Sequence, residues 1–513
     1  MTKPGRQTSF RSSLLNPAEF TLTFELVPSR GGRGKEYSRI ISLAEEIAMD
    51  GRIKAVSITE NAGGHPALSP EVLGLDIVGM GLDVINHFSG KDKNRNQMES
   101  LLFGWEREGL NNLLVISGDY PKQGYCGHAK PVFDLDSVQM IAMLSEMNRG
   151  EISGKPRPRT SFFKGVALSP FKSGEAELMM QYYKLHRKVA AGADFIITQI
   201  GFAARKFQEV LFYLQENRLN IPVLGNVFVP NLAVLKIMRQ GGVPGCVIPV
   251  DLDRRMMTEA ETADKGRTAR LLRGAKLLAI LKGLGYSGAH IGGPGLNFVG
   301  LDFMLNKFNE FTDSWKELIA EMNYWADNSF FYFQLDKTSG LNLPEPVKIK
   351  ERTKLRPGFM LARMAHNLAF DPEGLLFTAA RKSCFILEQG MPAFLRRGER
   401  LSKILLFNCK DCGDCTLVEQ TFLCPQSGCA KFLLNGPCGG SRDGWCEVYP
   451  GKKRCHYVRV YERLSAVEKE NFKEKFIPPR NWALNGTSSW FNFYAGLDHR
   501  GQEHCRFRKA DRE

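Results

Sequence analysis

Eight short β-rich runs separated by amphipathic stretches fill the first 300 residues, and this alternation constrains the fold more than any other feature of the chain. The runs are Phe20–Pro28, Ile53–Glu60, Leu82–Ser89, Asn112–Gly118, Lys164–Ser169, Phe195–Ile200, Pro222–Phe228 and Ser287–Gly292. Between the first two, Ser38–Met49 sets apolar residues at 40, 41, 43, 44, 47 and 48, which is one face of a helix. Strands that alternate with helices form βαβ units and a parallel sheet. Eight units in about 280 residues predict a (β/α)8 TIM barrel; an open doubly wound sheet is the alternative.

In such a barrel the chemistry gathers where the strands end. The predicted strands deliver Glu25, Thr59 and Glu60, His87, Ser117 and Asp119, Ser169, Gln199, Asn226 and His290 at or near those ends. A single Thr or Asp there is ordinarily a helix cap. Eight strands doing the same at one rim predict a site for a polar ligand. Glu25 closes an apolar strand, where partial burial is expected to raise its pKa and make it a proton donor. Asp119 follows Gly118, whose missing side chain admits a flat ligand. Gln199 offers a donor and an acceptor, as the edge of a pterin-like ring requires. The run Gly292-Gly293-Pro294-Gly295 lacks the G-x-G-x-x-G form and reads as a tight turn.

Cysteine marks the rest of the chain. Of 12 cysteines, eight fall between 409 and 455: Cys409, Cys412, Cys415, Cys424, Cys429, Cys438, Cys446 and Cys455. The opening residues lack the apolar core of a signal peptide, and no run of about 18 apolar residues occurs. A cytoplasmic location, a short disordered N-terminal tail and reduced thiols are therefore expected, and crowded reduced thiols argue for metal rather than disulfides. Cys409, Cys412 and Cys415, with the distant Cys424-Pro425, are similar to the ferredoxin ligand run for a [4Fe–4S] cluster, although the last gap is longer. The later four suffice for a second site, and zinc held tetrahedrally by four thiolates suits either set. The glycines of Asn435-Gly436-Pro437-Cys438-Gly439-Gly440 are expected to wrap a metal site. Cys126, Cys246, Cys384 and Cys505 stand apart as ordinary thiols.

The domain boundaries expected are a barrel over 1–340, a linker over 341–357, rich in Pro and charge, and a cysteine-rich metal-binding domain over 358–513 that begins with helices. The formal net charge of +14 is uneven. Residues 344–513 hold 29 Lys and Arg against 19 Asp and Glu, a net +10, which leaves +4 for the first 343. That excess suits nucleic acid, an acidic protein or an anionic small molecule. With no pure Lys/Arg run, nucleic acid is not favoured. The aromatic, basic stretch from Trp490 onward reads as a docked arm.

The motifs together resemble the methylenetetrahydrofolate reductases. FELVP (24–28), VSITE (56–60), NHFSG (86–90), ISGDYP (116–121) and RKVAAGADFIITQ (187–199) occur in that family's order and at its intervals. The cysteine block, with NGPCGG and GWCEV, is similar to the C-terminal domain of many bacterial reductases of this type and to the metal-binding partner subunit of the acetogen enzymes. The resemblance implies a flavin-bearing barrel that interconverts 5,10-methylene- and 5-methyltetrahydrofolate. It implies that Glu25 is the general acid that opens the folate's five-membered ring, that Asp119 stabilises the resulting cation, and that Gln199 binds the pterin. Thr59, His87, Gly118, Asp119, Arg187 and Lys188 match flavin-contacting positions, the last two with charge suited to a flavin phosphate.

The sequence also departs from the family. Leu26-Val27 replaces an aromatic pair, Ile-Gly-Phe-Ala-Ala-Arg (200–205) replaces a Phe-rich run with an acid, and Ser169-Pro-Phe-Lys-Ser-Gly174 replaces a Tyr-Pro…His-Pro segment that helps to hold the dinucleotide part of FAD. FMN thus stands beside FAD, and a ferredoxin-like protein stands beside NAD(P)H as electron donor. Two other functions compete: a tetrahydrofolate-dependent methyltransferase or demethylase without flavin, and a metal-bearing adaptor or nucleic-acid binder.

Overall fold

The β-branched runs become the staves of a closed barrel. In the computed structural model, which describes residues 9–325, 329–349, 357–386 and 393–501, they are β1 (Thr21–Leu26), β2 (Ala55–Ile58), β3 (Asp83–Ser89), β4 (Asn112–Ile116), β5 (Phe163–Leu168), β6 (Phe195–Thr198), β7 (Val223–Phe228) and β8 (Gly288–Gly292). Each pairs in parallel with its sequence neighbour, and β8 closes onto β1 with Thr23 opposite His290. Such strands are covered on both faces, so they read as nearly continuous apolar runs; every residue of β2 is buried.

Helices fill the connections: α1 (Ser9–Leu15), α2 (Lys35–Asp50), α3 (Pro70–Gly79), α4 (Arg95–Arg107), α5 (Ser137–Arg149), α6 (Glu175–Ala190), α7 (Ala204–Glu216), α8 (Leu232–Arg239), α9 (Val250–Glu259), α10 (Arg267–Leu284) and α11 (Phe298–Phe311). No helix among the described residues is long and apolar enough to cross a membrane.

Two expectations change. The tail expected to be disordered contains α1, whose Phe10 and Leu14 are buried with Phe163 and Phe195 of the strands. The Phe10 and Phe195 ring centroids lie 5.4 Å apart, edge to face. Residues 1–8 lie outside the described residues. The expected linker opens with a strand, β10 (Asn342–Pro346), antiparallel to β9 (Phe333–Leu335). Arg205 anchors that hairpin by donating to Asn342 Oδ1 and the Phe333 carbonyl, both at 2.9 Å. A stretch with two prolines still forms a strand because a two-stranded ribbon leaves one edge unpaired. Residues 350–356 of the linker lie outside the described residues, as does Cys505.

Beyond it run α12 (Pro357–Ala369), α13 (Phe377–Ile386) and α14 (Ala393–Phe407), then the cysteine block, α15 (His456–Tyr461) and α16 (Ala466–Glu474). This part does not hang from a tether. Leu433, Tyr457, Val460, Tyr461 and Phe472 belong to the same apolar core as the barrel's Leu178 and Tyr182. The contact runs along α6: Tyr461 donates to Glu175 at 2.7 Å, and Arg187 donates to the Phe472 carbonyl. Of the aromatic C-terminal stretch, residues 490–501 are docked, with Tyr494 stacked on Phe370 at 5.5 Å, and residues 502–513 lie outside the described residues.

Candidate functional site

The rim residues meet at the C-terminal mouth of the barrel. Glu25 lies in β1 beside Ser57 of β2, and Ser57 shares a 2.7 Å hydrogen bond with His87 Nε2. His290, 2% exposed, shares a 2.8 Å hydrogen bond with Thr23 through Nδ1, and its Nε2 lies 3.8 Å from Glu25. The expectation for the Glu25 pKa is reversed. Burial works to raise it, but the neighbouring His290, with a smaller effect from His87, outweighs burial and holds the carboxyl below its ordinary value. Sequence alone did not show that strand pairing sets a histidine beside it. His87 is itself pushed down to about 4 by burial.

Gly118 has φ +84°, and a Cβ there would collide with Ser89 Oγ, so the turn before Asp119 requires glycine. Asp119 accepts from the Gly63 amide at 2.7 Å, which fixes its carboxylate across the mouth. Gln199 follows β6, but its Oε1 accepts from the Ile200 amide at 2.9 Å. Two rim atoms remain unsatisfied: Thr59 Oγ1 and Asn226 Oδ1 are buried without a hydrogen-bond partner among the described residues. Orphaned polar atoms at the ends of two strands are what a mouth built for a polar ring system presents.

Arg187 is not delivered to this rim. It is 2% exposed, donates to Phe472 and stacks over that ring at 4.0 Å. Lys188 donates to the Ala167 carbonyl at 2.6 Å. The side of α6 that carries Arg187 is covered by the C-terminal part of the chain. Spacing along a helix does not reveal such a covering.

The eight cysteines fall into the two sets expected from their order. Cys409, Cys412, Cys415 and Cys424 line one small cavity, and Cys429, Cys438, Cys446 and Cys455 line another. Among the described residues, no three His, Cys, Asp or Glu side chains converge as ligands of a single ion. The surroundings nevertheless suit bound thiolates. In the first set the Asp411 amide donates to Cys409 Sγ at 3.3 Å and Lys403 Nζ lies 3.5 Å from Cys415 Sγ. The second set is flanked by the buried Lys184 and Lys431. Burial pushes Cys412 up to about 11 and Cys455 up to about 12, so these thiols are neutral unless a metal displaces the proton. Four sulfur donors beside fixed cations fit a thiophilic metal centre of net negative charge. Among the lone thiols, Cys126 is exposed and Cys246 is buried.

Sequence reasoning placed Ser169 at the rim but missed the contacts that join the second set to the mouth. Lys172 donates to the Gly439 and Ser441 carbonyls, Ser169 donates to Gly439, and Asp136 accepts from the Leu434 and Asn435 amides. The NGPCGG glycines were the available signal. Gly436 and Gly439 have φ +132° and +94°, and Gly245 of the barrel leaves room for the Gly439 carbonyl.

The sequence model of the methylenetetrahydrofolate reductase family matches residues 11–279, and that described as the methylene-tetrahydrofolate reductase C terminal matches 390–483. A 5,10-methylenetetrahydrofolate reductase of Pectobacterium carotovorum subsp. carotovorum is 25% identical over 127 residues, which is 25% of this chain and 37% of that protein. The chain thus spans little more than a third of the length of the curated relative it matches. Among solved structures, an uncharacterized protein from Clostridium thermocellum that binds two copies of 5-methyl-5,6,7,8-tetrahydrofolic acid gives a TM-score of 0.41 at 13% identity, covering 59% of this chain and 99% of that one. A putative deoxyribose-phosphate aldolase from Toxoplasma gondii ME49 gives 0.28 at 13% identity, covering 58% and 94%.

Proposed function

Because this chain belongs to the methylenetetrahydrofolate reductase family, whose model covers more than half of it, we propose that it interconverts 5,10-methylenetetrahydrofolate and 5-methyltetrahydrofolate with a bound flavin. The observation that carries this reading is the pair of carboxylates, Glu25 and Asp119, at a mouth where Thr59 Oγ1 and Asn226 Oδ1 await polar partners. Flavin supplies hydride chemistry that no side chain offers.

The chain's own residues hold and move protons around it. Glu25 rests as a carboxylate and takes up a proton before it donates to the folate nitrogen. His290, oriented by Thr23 and 3.8 Å away, is placed to share that proton. Asp119, fixed by Gly63, offers negative charge to a cationic folate form. Thr59, His87 and Gly118 would line the flavin, and Gln199 the pterin once its amide turns from Ile200.

FMN suits the mouth better than FAD. Ser169 and Lys172, where the family holds the dinucleotide half, are engaged by Gly439 and Ser441 of the chain itself. Cys409, Cys412, Cys415 and Cys424 would hold a [4Fe–4S] cluster, which supplies one-electron transfer, and the later four a second metal, zinc or iron. A low-potential electron carrier of ferredoxin type is then the donor, and its acidic surface matches the basic C-terminal third. The test is anaerobic purification with spectra and metal analysis: a non-covalent FMN with oxidation of 5-methyltetrahydrofolate by an artificial acceptor is expected. Folded protein that takes up neither FMN nor FAD defeats the reading.

A further inference from the structure

The segment that carries the second set of thiols closes one side of the barrel mouth, and one of its side chains reaches inside. Lys431 follows Cys429 by two residues, and its side chain is 4% exposed. Its Nζ donates to the Gly118 carbonyl at 2.7 Å and lies 5.8 Å from the centroid of the Phe133 ring. It is ion-paired with Glu447, whose side chain is 9% exposed. Glu447 Oε1 lies 3.2 Å from Cys438 Sγ. A Cβ on Gly440 would collide with the same carboxylate. A continuous chain of contacts therefore runs from Cys438 through Glu447 and Lys431 to Gly118, next to Asp119.

A buried ion pair is poor evidence for stability, since a well-packed apolar pair of similar volume often serves as well. What it provides here is direction. The Gly118 turn has no side chain of its own to fix it, and among the described residues the barrel's hydrogen bond to the Asp119 carboxylate comes from the Gly63 amide. Lys431 holds the turn from the other side. We propose that Lys431 is a positioning residue for the barrel's active site: it fixes the Gly118 carbonyl and with it the Asp119 carboxylate, while Glu447 fixes Lys431. The cysteine-rich part of the chain is thereby a wall of the flavin and folate site. The proposal rests on the reading of Gly118 and Asp119 as part of that site.

The experiment uses the full-length protein with its cofactors and compares Lys431→Met, Lys431→Arg and the double variant Lys431→Met/Glu447→Gln, which removes both charges and leaves no unpaired buried ion. The readouts are flavin Kd, kcat and KM for 5-methyltetrahydrofolate oxidation with an artificial acceptor, metal content, Tm, and amide hydrogen exchange over residues 117–122. In the double variant, metal content and Tm stay near the parent values. Exchange at 117–122 quickens, flavin Kd rises about tenfold, and kcat falls by tenfold or more as Asp119 loses its setting. Lys431→Arg, which still donates, recovers part of the loss. Unchanged exchange over 117–122 with flavin Kd and kcat within about twofold of the parent overturns the proposal, and so does a fall in Tm alone. A parent protein that binds no flavin defeats the functional reading instead, and the exchange measurement still decides the role of Lys431.

Discussion

Glu25 shows how far a residue's chemistry depends on neighbours far off in sequence. Its place at a strand end was legible, and its burial was expected to favour the protonated form. His290, 265 residues away, reverses the sign. Glu25→Gln removes the transferable proton but keeps the shape. It should retain flavin and its reduction while folate turnover falls about 10²–10⁴-fold; stopped-flow and steady-state rates separate the two, and unchanged turnover removes Glu25 from the mechanism. His87 makes a second prediction. Burial pushes it down to about 4, against an ordinary value of about 6.5. Above the ordinary value it is neutral in both states. Between the two, the unfolded chain takes up a proton that the folded chain does not, so stability falls on acidification, in total on the order of 3 kcal/mol. Denaturant titrations at pH 7, 5.5 and 4.5 should show that loss, and His87→Asn should flatten it. An unchanged pH slope in the variant assigns the loss to other groups.

At the scale of elements, the first thiol set yields the clearest test. If Cys409, Cys412, Cys415 and Cys424 hold an oxygen-sensitive cluster, Cys412→Ser should lose its iron and block flavin reduction by a low-potential one-electron donor. Oxidation of 5-methyltetrahydrofolate by an artificial acceptor should survive, because it needs only the barrel mouth. Loss of both half-reactions indicates a structural staple, and anaerobic protein with zinc but no iron defeats the cluster. The grouping of the eight cysteines around two cavities was legible because residues close together in a loop-rich block fold near one another. The eight strands were legible for a similar reason: burial on both faces writes itself into consecutive apolar residues. The β9–β10 hairpin was not, since prolines at 344 and 346 and a glutamate between them read as linker. The engagement of Arg187 was hidden too, because the covering of α6 depends on Phe472, 285 positions away.

The molecule as a whole is more tightly joined than a barrel with a tethered metal domain. One apolar core holds residues from both parts. Two buried cations of α6 find their acceptors in the later segment, Lys184 at Gly436 and Pro437 and Arg187 at Phe472. The barrel's Asp136 likewise accepts from the Leu434 and Asn435 amides. A chain ending at residue 349 would expose the apolar side of α6 and leave Lys184 and Arg187 without those carbonyls, each an uncompensated polar group unless water reaches it. Such a chain should be insoluble, or should melt well below the full protein and bind flavin poorly. The full protein, loaded with metal, should unfold in one calorimetric transition with equal calorimetric and van't Hoff enthalpies. Metal removal should lower the melting temperature of the barrel along with that of the cysteine-rich part, because the segment at 429–447 is both a thiol site and a wall of the mouth. Two separable transitions, or a truncated barrel that keeps its flavin and its melting temperature, would show instead that the two parts fold independently.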